Sequence, residues 1–167
     1  EYGTVLSVLY TAQESGRPKR LFLQEVPDGL PRPVTPEGIV TLYPSISPDG
    51  EWVAAGLEHG EGVQSAWPLA GGEPRPLPGL AAGECVVRWS SDGRHVFAYD
   101  VTQTDPPWQV VRVALDTGRR EVWKEILPPD QGDIRQLVRV HVTPDGRSYA
   151  YGLRRSRREL YLVTGLR

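Results

Sequence analysis

The chain has 167 residues, enough for one good core or a short array of stacked units. Its formal net charge of −2, with acidic and basic residues mixed along the length, gives no electrostatic footprint for nucleic acid. No apolar run approaches the roughly 20 residues of a membrane-spanning helix, so this segment carries no membrane insertion of that kind.

The 18 Gly and 16 Pro predict many tight turns and few helices. The single cysteine, Cys85, has no internal disulfide partner and reads as a small buried residue at a strand entrance. Only residues 125–137 offer a helical candidate, and Pro128, Pro129 and Gly132 argue against it. The fold class is therefore all-β.

The first unit spans residues 1–38. Gly3 stands where later units carry the glycine of an Asp-Gly turn, so this unit begins inside its turn and lacks an opening strand. It runs through an extended segment at 4–11, a polar loop to Pro18 and a strand at 21–26. Its closing strand alternates Pro31 and Pro33 with Arg32 and Val34. Prolines spaced by two remove hydrogen-bond donors from one side of a strand only, which predicts an outermost strand with its donor-poor side to solvent.

The second unit, 39–81, has an opening strand at 43–47 and the turn Ser47-Pro48-Asp49-Gly50. Glycine adopts positive φ without steric cost and Asp bonds nearby backbone, so Asp-Gly between apolar segments signals a hairpin. The strand Glu51-Trp52-Val53-Ala54-Ala55-Gly56 follows, apolar on both faces, as expected for a strand covered on two sides. A loop at 58–62 leads to the strand holding Trp67, and Pro74 and Pro76 repeat the proline alternation around Arg75.

The third unit, 82–127, repeats the plan with Val86-Val87-Arg88-Trp89, the turn Ser90-Ser91-Asp92-Gly93 and the strand His95-Val96-Phe97-Ala98-Tyr99. The fourth, 128–167, opens on the longest connection, 128–133, followed by a strand at 137–143, Thr143-Pro144-Asp145-Gly146, and a strand at 147–153. The basic loop Arg154-Arg155-Ser156-Arg157-Arg158 and a strand at 160–163 follow, and the unit stops where a closing strand should begin.

A second register confirms the repeat. Gly29, Gly72, Gly118 and Gly165 each end an apolar segment, 43, 46 and 47 residues apart. That period, close to the roughly 40–45 residues of four-stranded propeller blades, predicts β-propeller blades in four units of about fourteen antiparallel strands. Residues 1–167 then form one partial propeller domain. An open arc would bare two terminal apolar faces, so the expectation is a piece of a larger ring, or self-association of two copies into an eight-bladed ring.

Several residues invite a chemical reading. His59, His95 and His141 lie in three different units without metal-ligand spacing, so no metal site is expected. Asp49, Asp92 and Asp145 are explained by their turns, with no Asp-x-Asp loop for calcium. No Gly-x-Ser-x-Gly elbow supports a Ser-His-Asp hydrolase, so neither catalytic residues nor a cofactor are assigned, and the chain reads as no enzyme. Arg154, Arg155, Arg157 and Arg158 are candidate contacts for an acidic partner, a phosphate or an anionic membrane surface, against the plainer reading of a solvated hairpin tip beside Glu159. Trp67 and Trp123 fall on inter-blade packing positions, whereas Trp108, after Pro106-Pro107, is expected to be partly exposed as a contact residue.

The three turns, each followed by an apolar strand, resemble the TolB-like, WD40-like propeller repeat known as PD40. The stretch Val140-His141-Val142-Thr143-Pro144-Asp145-Gly146-Arg147-Ser148-Tyr149-Ala150-Tyr151, with Leu160-Tyr161-Leu162-Val163-Thr164-Gly165-Leu166, looks like the C-terminus of propellers attached to bacterial, acidobacterial-type serine/threonine protein kinases. The resemblance implies a sensor or scaffold that recognises a protein, peptide or small ligand in an extracytoplasmic, periplasmic setting, with any catalytic domain elsewhere in a longer parent. The alternatives are a gating propeller of a peptidase and a free periplasmic TolB-like interaction protein. Such propellers usually have more blades than this chain supplies.

Overall fold

The structure is a computed structural model that describes residues 6–58, 62–130, 132–157 and 161. Among these residues, thirteen strands fall in four antiparallel sheets. The first sheet holds β1 (Leu6–Ala12), β2 (Arg20–Val26) and β3 (Arg32–Pro33). The second holds β4 (Ile39–Val40), β5 (Trp52–Leu57), β6 (Ser65–Pro68) and β7 (Arg75–Pro76). The third holds β8 (Glu84–Trp89), β9 (His95–Asp100), β10 (Trp108–Ala114) and β11 (Arg120–Ile126). The fourth pairs β12 (Ile134–Val142) with β13 (Tyr149–Arg155). Gly3, His59, Arg158, Leu160 and the turn at 162–165 lie outside the described residues.

Each of the three turns closes by the same bonds. In the first, Ser47 Oγ donates to Asp49 Oδ1, which also accepts from the Glu51 amide at 3.0 Å, and the Trp52 amide donates to Ser47 Oγ at 2.9 Å. Ser90, Asp92, Arg94 and His95 repeat this set, as do Thr143, Asp145, Arg147 and Ser148. Gly50, Gly93 and Gly146 sit at φ of 75°, 68° and 65°, the left-handed region that a side chain disfavours. The repeat is thus carried by a hydroxyl, a carboxylate and a glycine acting together.

The proline-alternating strands are sheet edges. β3 pairs only with β2 and β7 only with β6. The Val34 amide donates to the Leu21 carbonyl at 2.9 Å, so the even-numbered positions face the sheet while Pro31 and Pro33 face away.

Alternate residues along one strand enter different cores, and this stacks the sheets. Leu21, Val34, Val53, Ala55 and Leu69 fill the space between the first and second sheets. Ala54, Ala66 and Leu77 meet Val86, Val96, Ala98 and Val113 between the second and third. Phe97, Tyr99, Trp108, Val110 and Ile126 meet Leu137, Val140 and Val142 between the third and fourth. Val53 and Ala55 thus face backward along the ring while Ala54 faces forward; Val96 and Phe97 divide likewise. In β8 a register shift between Val86 and Arg88 lets Val86 and Trp89, three residues apart, share one face.

The inner strand of the second sheet departs from the expected strand at 43–47. β4 is two residues long and pairs with Gly56 and Leu57, while Ile46 makes only an isolated bridge to Val53. Between them the chain kinks: Thr41 Oγ1 donates to the Tyr43 carbonyl, and Pro44 has no amide to give to a ladder. The kink frees the Tyr43 side chain to cross toward the third and fourth sheets.

Candidate functional site: the axial mouth

β4, β8 and β12 are the inner strands of their sheets, and β12 also touches β8 directly. At one end they leave a cavity of about 230 Å³. Its walls are Val40, Leu42 and Leu57 from the second blade, Cys85, Tyr99 and Val101 from the third, and Gln136, Leu137 and Val138 from the fourth. Leu42 and Leu57 are exposed at its rim, and Val63 is exposed next to the lining residues Gly62 and Gln64. Three blades therefore build one apolar mouth, though each alone supplies only a strip of it.

Gln64, Glu84 and Glu58 at this mouth are already engaged. Gln64 accepts the Val86 amide at 2.8 Å through Oε1 and points Nε2 to Cys85 Sγ at 3.3 Å. Burial pushes the Cys85 thiol up from its ordinary value, which disfavours the nucleophilic thiolate. Glu84 makes a two-pronged pair with Arg120, at 2.5 and 2.8 Å, and also accepts the Ala81 amide at 2.8 Å. Glu58 pairs with Lys19 from the first blade.

Behind the mouth lies a tyrosine pin. Tyr43 Oη and Tyr99 Oη are 2.9 Å apart, and the Val140 amide donates to Tyr43 Oη at 3.0 Å. One side chain from the second blade thus bonds the third and the fourth. Burial raises the pKa of both phenols, so both stay neutral and the mouth has no phenolate to offer.

The residues singled out from sequence are arranged differently. Trp108 corrects the expectation of partial exposure: it is fully buried, in register with Ile126, and its Nε1 donates to the Gln103 carbonyl at 3.1 Å. The Pro-Pro exit does not expose it because its side chain enters the core between the third and fourth sheets, with Ile126, Leu137 and Val140. Arg155 is held by Asp130, at 2.8 Å to Oδ2, and by the Gly132 carbonyl at 3.0 Å. The Gly132 amide and Arg155 together hold the Asp130 carboxyl below its usual range. Arg154 is exposed opposite Gln136, placing the basic hairpin one strand outward of the mouth, and Arg157 is exposed beyond it.

His95 contacts Arg112 at 3.3 Å, and His141 packs edge-on against Tyr43. Among the described residues no group of three or more His, Cys, Asp or Glu is placed to hold a metal ion. Trp123 stands between Phe97 and Tyr149 at the junction of the third and fourth blades, as its repeat position predicts. Sequence reading did not reach Gln64, Tyr43 or Val101 as site residues. The one local signal was the Thr-x-Tyr-Pro run that ejects Tyr43 from the ladder.

No family model and no curated protein matches the chain. Among solved structures, the crystal structure of TolB from Acinetobacter baumannii is similar, with a TM-score of 0.61 and 19% identity. The match covers 90% of this chain and 35% of that one, so the chain spans about a third of the TolB chain's length. At this identity the likeness shows the fold: four-stranded antiparallel sheets arranged as part of a β-propeller.

Proposed function

We propose that the chain is a non-enzymatic recognition platform whose axial mouth binds an apolar side chain of a protein or peptide, or a small ligand of that character. The observation that carries this reading is the mouth itself, where three blades contribute Leu42, Leu57, Val101 and Val138 to one open apolar cavity. Gln64, Glu58 and Glu84 beside it are paired, which suits a surface that holds rather than transforms. A titration of the labelled protein with N-acetyl-leucine amide tests it, read by amide shifts. Shifts confined to Gly56, Leu57, Cys85 and Val138, and lost in Leu57→Arg, support the reading. Shifts scattered over the sheets, or none at millimolar probe, overturn it.

The finer reading is a sensor portion of a membrane-tethered bacterial serine/threonine kinase. The resemblance of residues 140–151 to kinase-attached propellers supports it. The coding sequence flanking residues 1–167 tests it: a kinase catalytic loop favours the sensor. A nucleophile elbow would instead make this a gating propeller, and a cleavable signal alone would make it a free interaction protein.

A further inference from the structure

Two positions of the repeat come together in one groove between the second and third blades. One lies three residues after the glycine that precedes the closing strand, and carries Arg32, Arg75 and Glu121 in the first three units. The other directly follows the Asp-Gly turn of the next unit and carries Glu51, Arg94 and Arg147. In sequence the corresponding pairs are Arg32 with Glu51 at the first junction and Glu121 with Arg147 at the third, each of opposite sign. At the middle junction both are arginines.

Arg75 and Arg94 line one open groove there, of about 460 Å³, together with Leu77, Leu115 and Asp116. Among the described residues neither guanidinium has a carboxylate within ion-pair distance. Arg75 is pre-positioned, with its guanidinium 3.9 Å above the Trp52 ring, which leaves its edge N–H groups to donate. The carboxylates nearby are committed to their own turns: Asp49 to Ser47 and the Glu51 amide, Asp92 to Ser90 and the Arg94 amide, and Asp116 to the Thr117 hydroxyl.

We propose that the groove between the second and third blades, flanked by Arg75 and Arg94, docks an acidic peptide segment. Two separated guanidiniums take two carboxylates of an extended chain, while the half-buried Leu115 accepts an apolar side chain between them. Asp116 in the lining disfavours a small free anion, which has no apolar contacts to offset that repulsion. This site is separate from the axial mouth and does not rest on it.

The test is fluorescence anisotropy with a labelled, capped hexapeptide alternating Glu and Leu, run at low salt beside its Gln-for-Glu counterpart. The acidic peptide is expected to bind and the neutral one to bind at least roughly tenfold more weakly, an effect that salt reduces. Arg75→Glu and Arg94→Glu should each weaken binding by about tenfold or more, whereas Arg32→Glu and Arg147→Glu, at the same repeat positions, should leave it within about twofold. Arg94→Gln, an exposed change that leaves the Trp52 stack intact, gives the same reading if Arg75→Glu does not fold. Leu57→Arg at the axial mouth should have no effect. Absence of binding, equal losses in Arg32→Glu, or displacement by equimolar inorganic phosphate would overturn the proposal.

Discussion

At the residue scale, the most consequential single atom is Tyr43 Oη, because it satisfies a buried amide and joins three blades. Tyr43→Phe leaves the Val140 amide without its partner in a buried site, which is expected to cost about 1–3 kcal/mol in urea unfolding. Tyr99→Phe leaves that amide paired and should cost less. Asp49, Asp92 and Asp145 are each held below the usual carboxylate value, first by the hydroxyl two residues earlier and then by a backbone amide. Their ionised forms therefore favour the folded chain. That contribution is complete above the unfolded carboxylate value, near 4, and is lost as pH falls through the lower folded values. Asp92→Asn is expected to be less stable than the parent at pH 7, with the gap closing toward pH 2. A gap that stays constant with pH would show that the charge of Asp92 plays no part.

At the element scale, blade stacking depends on small residues facing large ones. Ala54 is fully buried against the third blade's Val86 and Val96, so Ala54→Leu should destabilise by about 1–3 kcal/mol through overpacking. Thermal unfolding reads this directly. The strands and their edges were legible in the sequence because their signals are local: Asp-Gly turns, apolar runs on two faces, and Pro31, Pro33, Pro74 and Pro76 spaced by two. The broken inner strand β4 was less so, since Pro44 lies inside a stretch whose pattern otherwise reads as extended. Trp108 was misjudged for a related reason. Pro106 and Pro107 are a loop signal, but exposure of the next residue depends on whether the fourth sheet stacks over it, and no residue near Trp108 records that.

At the scale of the whole molecule, the axial mouth was not legible, because Leu57, Gln64, Cys85, Val101 and Val138 come from separate blades and meet only through topology. The bare end of the arc was anticipated. Leu6 is 64% and Val8 44% exposed, although the equivalent Val53 and Ala55, and Val96 and Ala98, are buried. We propose that a further blade, or a second copy closing the ring, covers this face. Sedimentation of the chain across concentrations distinguishes the two: a dimer that Val8→Lys abolishes supports the second copy, and a monomer at high concentration excludes it.

Radial stacking predicts that neighbours in one strand report on different blades, which methyl and aromatic NOEs measure. Val96 should show cross-peaks to Ala54 or Ala66 of the second blade, while Phe97, the next residue, shows them to Gly146 of the fourth blade and none to Ala54. Cross-peaks from both Val96 and Phe97 to the same neighbouring sheet would contradict the blade arrangement, and with it the axial mouth.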